Sequence, residues 1–297
     1  MQQSQSEELF VLAGHGYDEH GPYLLINHLH AKTQERIHVW NKTFSLIKSP
    51  RRFCTGWFDF DTYTSHACDN EQELMADSKF TDCSVCQEKT GFNPAFYNAS
   101  SVSSQQAAYN ATPHFVYMAY FAPDFIKVGI SAEARGIERL LEQGARAACV
   151  LGRFENADKA RELEAFMCAE PDIYETMRAS KKTELFAETA YDFTNAHDLL
   201  KQRAESYDLH PEYYWDFSPY YFGSLAPHYS SIHIPPNAPD NVCAGHCIGM
   251  IGTTLVFEQH GEHFPINLKD WKAHAITYKP NEVLTTYEAS SQQMFLC

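Results

Sequence analysis

Short runs of β-prone residues, separated by glycines and polar turns, dominate the first fifty residues. The runs read ELFVLAG, PYLLINHLHA, ERIHVW and FSLIK, and Gly14, Gly16 and Gly21 lie close to or between the first two. Apolar runs of this length bounded by turn residues are typical of strands, and consecutive strands usually pair with one another. The pattern predicts a β-rich N-terminal region over residues 1–50, arranged as an antiparallel meander.

The pattern changes in the central part of the chain, where strand-like and helix-like periods alternate. The stretch FVYMAYFAPDFIKVGISAEARGIERLLEQGARAAC, from Phe115 to Cys149, predicts strand, hairpin, strand, helix and strand. NADKARELEAFMCAE then predicts a helix capped by Asn156, and YDFTNAHDLLKQRAESY predicts a further helix. On the capped helix the apolar residues recur at helical spacing and are expected to face inward: Ala160, Leu163, Phe166 and Met167. We therefore expect a central α/β domain over residues 113–204.

Two other stretches differ in composition from this predicted domain. NASSVSSQQAAYNAT, residues 98–112, is polar and predicts a linker or an exposed loop. From residue 205 onward the chain is dense in Tyr, His and Pro, and short β runs with glycine turns follow. Its last strands either form a small barrel or join the N-terminal strands. The predicted fold class is α+β, with an aromatic-rich and β-rich C-terminal region over residues 205–297.

Composition limits what the chain does. Its hydrophobic content of 44% is enough to bury a core, and its formal net charge is −15. A protein that mainly grips duplex nucleic acid is usually basic, because neutralised phosphates supply most of the affinity, so the charge disfavours a nucleic acid partner. No apolar run is long enough to span a bilayer, and the polar start lacks a signal-peptide pattern. We expect a cytoplasmic protein without a membrane partner.

Four of the nine cysteines fall within the second region, residues 51–100. Cys54, Cys68, Cys83 and Cys86 have the spacing C-x13-C-x14-C-x2-C. The close pair forms a knuckle-like turn whose thiolates take two corners of a tetrahedron, and the two distant cysteines supply the others. We predict a closed, structural Zn²⁺ site, with His66 as an alternative ligand to Cys68. The competing interpretations are a redox pair at Cys83 and Cys86, or a chance spacing.

The remaining cysteines and motifs carry less information. Cys243 and Cys247, in CAGHCIG, are a weak candidate for a second metal or redox site, while Cys149 and Cys168 are expected to be small core residues. The sequence contains no Walker motif, dinucleotide-binding fingerprint, nucleophile elbow or HExxH motif. The absence of these motifs argues against the enzyme classes that depend on them.

The order of residues in the central stretch resembles the GIY-YIG nuclease superfamily. Tyr117 lies on the first predicted strand, Gly129 closes the second, and Arg139 lies on the helix that follows. The four-cysteine region, the TGF after Cys86 and the KVG…RLLEQGA block together are similar to an uncharacterised bacterial family. In that family a cysteine-rich region precedes a GIY-YIG-like domain, and the resemblance spans roughly residues 50–270.

The superfamily resemblance implies roles for individual residues. Tyr117 would activate or lie next to the attacking water, and Arg139 would contact the phosphate, with Arg135 as the other candidate. Glu164 on the later helix would bind a divalent cation, Mg²⁺ or Mn²⁺. Because Glu162 lies two positions away on another face of that helix, only one of the two carboxylates points toward the site.

Several positions bear on how closely the chain follows the superfamily pattern. Gly129 is kept where the lack of a side chain lets the backbone turn closely into the helix. Lys127 stands where the second tyrosine is expected, and its ammonium group can neutralise an oxyanion. Phe115 and Val116 replace the first Gly-Ile pair. Residues 181–183, Lys-Lys-Thr, occupy the neighbourhood of the late asparagine.

Two functions from different classes follow from these observations. The leading hypothesis is divalent-metal-dependent hydrolysis of phosphodiester bonds in nucleic acid, carried by Tyr117, Lys127, Arg139 and Glu164. The alternative is a non-catalytic binding module for a nucleic acid, a nucleotide or a partner protein, or an enzyme that uses the same scaffold on a small polar substrate. The net charge and the missing second tyrosine favour the alternative.

Overall fold

Three β-sheets organise the chain in the computed structural model, which describes residues 9–91, 102–228, 231–236 and 238–288. The strands are β1 (Phe10–Asp18), β2 (Gly21–His28), β3 (Thr33–His38), β4 (Lys42–Phe53), β5 (Trp57–Asp59), β6 (Thr64–His66), β7 (Glu73–Leu74), β8 (His114–Ala122), β9 (Phe125–Ala132), β10 (Ala147–Phe154), β11 (Ile173–Tyr174), β12 (Tyr214–Asp216), β13 (Val242–Ile251), β14 (Thr254–Gln259), β15 (Glu262–Asn267) and β16 (His274–Pro280). The helices are α1 (Ser84–Thr90), α2 (Ser104–Asn110), α3 (Glu138–Gln143), α4 (Ala157–Cys168), α5 (Ala179–Glu188), α6 (Phe193–Glu205) and α7 (Ser218–Phe222). Short 3-10 turns cover Glu133–Arg135 and Lys269–Trp271.

Both ends of the described chain contribute to the largest sheet. Its strand order is β15-β14-β13-β4-β16-β1-β2-β3, and β7 pairs with β4. The last strands therefore join the N-terminal strands. The predicted meander is correct for β1 to β3, which pair in sequence, but wrong for β4, because β16 lies between β1 and β4 and pairs with both.

The central part of the chain forms a five-stranded sheet of order β11-β9-β8-β10-β12. Alternate side chains of β8 point to opposite faces, as in any strand. Val116 and Met118 face a core that includes side chains from α4 and α6. Tyr117 and Ala119 face the other way, into a core shared with the nine-stranded sheet.

Buried hydroxyl groups hold the elements around this shared core in place. Within the nine-stranded sheet, the Tyr17 hydroxyl on β1 donates to the Gly252 carbonyl at 3.1 Å, just after β13. The Tyr221 hydroxyl on α7 donates to the Ala145 carbonyl at 2.7 Å, just before β10. Because buried polar groups need partners, the Tyr221 bond helps to fix how α7, which packs on the nine-stranded sheet, lies against the five-stranded sheet.

The helices confirm some sequence predictions and correct others. The Asn156 side chain accepts a hydrogen bond from the N–H of Lys159, so the predicted cap of α4 is confirmed. Phe166, expected on the inner face, is 59% exposed; the prediction was wrong because the helix buries a narrower stripe around Ala160 and Met167.

The polar stretch predicted as a linker is partly helical. Helix α2 lies within it, and the Ser103 side chain caps that helix by accepting from the N–H of Gln106. Residues 98–101 lie outside the described part of the chain. None of the helices that the structure describes has the length and apolar character needed to cross a bilayer.

Candidate functional site

Tyr117 and Lys127 meet over Gly129 on one face of the β8–β9 hairpin. Tyr117 is paired with Gly129 in register, and Ala119 is paired with Lys127, so the Tyr and Lys side chains project from the same face. The Lys127 Nζ lies 5.6 Å from the centre of the Tyr117 ring. A Cβ at position 129 would lie 2.5 Å from the Tyr117 hydroxyl oxygen and 3.0 Å from Lys127 Nζ. Glycine at this position makes room for both polar groups.

Helix α3, the first α-helix after this hairpin, carries Arg139. The helix ends at Gly144, whose φ of +73° is a left-handed conformation that glycine adopts without strain. The Arg139 side chain is 41% exposed, and its guanidinium lies 3.7 Å from the Glu142 carboxylate. Arg135, the alternative candidate, lies in the 3-10 turn before α3 and donates to Glu142 at 2.7 Å, with its side chain largely buried.

Glu164 lies on the side of α4 that faces β9. The carboxylate interacts with Lys127 and accepts from the backbone N–H of Ile130. Burial raises the pKa of Glu164, with Glu175 adding to the rise and Lys127 opposing it. A neighbouring cation favours the ionised form of a buried carboxylate, and a bound divalent ion would favour that form further. Glu162, two residues earlier, is exposed to solvent.

The structure adds Lys182, a residue to which the sequence gave no role. Its Nζ on α5 donates to the Gln143 carbonyl at 2.7 Å and to Gln143 Oε1 at 3.1 Å, and it lies 5.0 Å from the centre of the Phe121 ring. Burial, reinforced by the charges of Lys127 and Arg139, lowers the pKa of Lys182 to about 7. The only sequence signal was the position of residues 181–183 in the neighbourhood of the late asparagine of the superfamily pattern.

Contacts and charge interactions link these residues pairwise. Lys127 lies over the Tyr117 ring and its charge acts on Glu164, although Tyr117 faces the core shared by the two large sheets and α4, which carries Glu164, packs on the opposite face. The charges of Lys127 and Arg139 both act on Lys182, so these three basic residues form a group. Such a group can bind an anion with several oxygen atoms, because ammonium and guanidinium groups both donate hydrogen bonds to phosphate.

The four cysteines of the second region converge on one point. Cys54 follows β4, Cys68 follows β6, Cys83 precedes α1, and Cys86 lies in that helix. Their Sγ atoms all lie within 4.8 Å of one another, and those of Cys68 and Cys83 are 3.9 Å apart. In a tetrahedral thiolate site with metal–sulfur bonds of about 2.3 Å, the sulfurs are about 3.8 Å apart. The geometry is that of a four-thiolate metal site.

Backbone amides support this cluster and aromatic packing covers it. The N–H groups of Cys83 and Gly56 donate to Cys54 Sγ at 3.1 and 3.4 Å. Burial raises the pKa of the Cys54 thiol to about 12, so a nearby cation is needed to hold the thiolate at neutral pH. His66, the alternative ligand, instead stacks on Trp57 with ring centres 4.3 Å apart and lies outside the cluster.

The weaker cysteine candidates are part of the core. Cys243 and Cys247 on β13 are fully buried in the core shared by the two large sheets, and burial raises the pKa of the Cys247 thiol to about 12. Cys149 is fully buried on β10. Across the ranges that the structure describes, the Cys54 cluster is the one group of three or more His, Cys, Asp or Glu side chains close enough to share a metal ion. Among the described residues, no third ligand of these types lies close enough to Cys243 and Cys247 to share a metal ion with both.

Comparison with known proteins identifies the chain's family. No curated protein and no solved structure matches it. A family model described as "Protein of unknown function (DUF2797)" matches residues 79–276, more than half of the 297 residues. The match begins shortly before Cys83, includes all the residues around the β8–β9 hairpin and ends in β16. The chain belongs to this uncharacterised DUF2797 family.

Proposed function

We propose that this protein is a divalent-metal-dependent phosphodiesterase that acts on nucleic acid through a degenerate GIY-YIG-like site. The observation that carries the proposal is the position of Lys127 over Tyr117, together with the charge interactions of Lys127 with Glu164 and of Lys127 and Arg139 with Lys182. Phosphodiester hydrolysis needs a water at a proton acceptor, cations at the phosphate and a ligand for a metal ion. Tyr117, the basic residues and Glu164 are our candidates for these three needs.

Each residue takes a role that its chemistry supports. Arg139 and Lys127 donate hydrogen bonds to the phosphate oxygens. The Tyr117 hydroxyl, held over Gly129, orients the attacking water. Glu164 would hold Mg²⁺ or Mn²⁺, which such sites commonly bind through one or two carboxylates together with substrate phosphates. When bound, the metal ion neutralises charge at the phosphate and lowers the pKa of a bound water.

The four-cysteine cluster has a structural role in this proposal. We infer that Zn²⁺ occupies it, because tetrahedral four-thiolate sites are typical of zinc and leave no open position for substrate. The cluster joins the end of β4 to α1, across a segment with three short strands and few other buried residues. Zinc would therefore order this segment rather than take part in hydrolysis.

The test is cleavage of plasmid and short single-stranded DNA with added Mg²⁺ or Mn²⁺. Arg139→Ala and Glu164→Gln are expected to reduce the cleavage rate about 100-fold or more while folding normally. Two matched controls remove the same kinds of charge elsewhere. Glu162→Gln alters an exposed carboxylate on the same helix, and Arg153→Ala breaks an exposed ion pair with Glu133. Equal rates for the site variants and their controls would contradict the site assignment.

A non-catalytic binding module is the second candidate, and the burial of Tyr117 favours it. Its side chain is only 2% exposed, within the core between the sheets. The net charge of −15 also works against long polyanions. Binding of a short phosphate-bearing ligand without cleavage, by folded protein that retains its bound zinc, would support this candidate over the nuclease.

A further inference from the structure

Lys182 is held at the end of the helix that carries Arg139. Its Nζ donates to both the carbonyl and the side-chain oxygen of Gln143. Arg139 and Gln143 are four residues apart on α3, so their side chains lie on the same face of the helix. The Gln143 contacts therefore bring the Lys182 ammonium to the Arg139 side of α3.

The face of β8 brings Lys182 toward Lys127 as well. Lys182 lies over Phe121 and Lys127 lies over Tyr117, two rings on the same face of one strand. Burial lowers the pKa of Lys182, and the charges of Lys127 and Arg139 add to this lowering. The described residues place no carboxylate within 4.0 Å of Lys182 Nζ, whereas neighbouring Lys181 pairs with Glu184 at 3.3 Å.

When Lys182 is protonated, Lys127 and Arg139 repel it, although the whole protein has a net charge of −15. Carboxylates are plentiful in this chain, yet the hydrogen bonds that the structure describes for Lys182 Nζ go to neutral oxygens of Gln143. A bound anion would relieve the repulsion among all three cations at once. A cavity of about 210 Å³ beside Lys182, lined also by Glu142 and Gly144, gives its side chain room to turn from Gln143 toward a ligand.

We propose that Lys182 is a third phosphate-binding residue, which with Lys127 and Arg139 forms a site for a phosphate group of the substrate. The inference rests on the phosphate-binding part of the proposed function and extends it in one respect. Because Lys182 is largely neutral above about pH 7, binding of the anion raises its pKa and draws a proton from solvent. At lower pH the lysine is already charged, and binding takes up no proton there.

Titration calorimetry in buffers of different ionisation enthalpy measures this proton directly. The probe is a short single-stranded DNA oligonucleotide with a 5′ phosphate, without added divalent metal, at about pH 8 and about pH 6. We expect uptake of most of one proton per ligand at the higher pH and little at the lower. The groups that face Lys182 are Lys127 on β9, Arg139 and Glu142 on α3 and Lys181 and Glu184 on its own helix; the variants separate their contributions.

Three variants make the assignment specific. Lys182→Met should weaken binding about tenfold or more and abolish proton uptake, since a charged hydrogen-bond donor is lost. Lys182→Arg should retain binding without proton uptake, because a guanidinium is charged at both pH values. Lys181→Met removes the same charge one position away and should leave both affinity and proton uptake unchanged.

The outcomes also separate this inference from the nuclease proposal. Proton uptake that persists in Lys182→Arg, wild-type affinity in Lys182→Met, or no binding by the wild type would overturn the role of Lys182. Binding with Lys182-dependent proton uptake but no cleavage with Mg²⁺ would retain that role and reject the nuclease. Cleavage without Lys182-dependent proton uptake would support the nuclease and reject the role of Lys182.

Discussion

At Gly129, one added methyl group would collide with two polar atoms of the candidate site. The nearest atoms to a Cβ there are the hydroxyl of Tyr117 and Nζ of Lys127, at 2.5 and 3.0 Å. The lysine is flexible, but the Tyr117 ring is buried and has little room to move. We expect Gly129→Ala to lower the free energy of unfolding by about 1–3 kcal/mol, as overpacking does, and to weaken phosphate binding. Denaturant unfolding and oligonucleotide binding measure the two effects.

Gly14→Ala is the matched control for this change. Gly14 also lies in a strand, β1, but no atom is within 4 Å of a Cβ placed there. Its substitution should change the free energy of unfolding by less than about 0.5 kcal/mol. If Gly129→Ala were as stable as Gly14→Ala and bound the oligonucleotide as tightly as the wild type, the close approach of Tyr117 and Lys127 would not matter.

At the scale of elements, the four-cysteine segment depends on its metal ion more than on packing. Its buried cluster consists of the cysteines themselves, with Trp57 and Leu74 against them. Cys86→Ser should therefore lose the bound zinc and destabilise this segment by several kcal/mol, since metal binding supplies its folding free energy. Elemental analysis gives the zinc content, and limited proteolysis reports order between β4 and α1.

Cys168→Ser provides the comparison for that experiment. Cys168 is a half-buried thiol at the end of α4, outside the cluster. Its variant should keep one zinc per chain and the wild-type proteolysis pattern. Zinc retained in Cys86→Ser at the wild-type level would show that the cluster is not the metal site.

Local signals explain which elements the sequence could predict. Residue periodicity predicts the β8–β9 hairpin and α4, and Asn156 marks the start of α4. The C-x2-C pair indicates the turn into α1. Those signals act over a few residues. The insertion of β16 between β1 and β4 and the meeting of Lys182 with Gln143 depend on contacts between distant residues. No local pattern encodes them, so they could not be predicted.

At the scale of the whole molecule, the two large sheets share a core, although residues 113–204 were expected to form a domain of their own. Tyr117 and Phe121 of the five-stranded sheet are buried in the same core as Phe44 and Phe257 of the nine-stranded sheet. Separating the sheets would expose a continuous apolar face on each. Two units that share a core in this way are expected to unfold together.

Calorimetry on the full chain with its metal bound should accordingly show one cooperative transition. Tyr221→Phe tests the coupling, because its hydroxyl bonds the Ala145 carbonyl at 2.7 Å and the loss leaves a buried acceptor unpaired. The whole transition should move by about 1–3 kcal/mol. Tyr220→Phe, on the same helix but 43% exposed, should leave it unmoved. Two separate transitions, with only one shifted by Tyr221→Phe, would instead show that the two sheets are independent domains that merely touch.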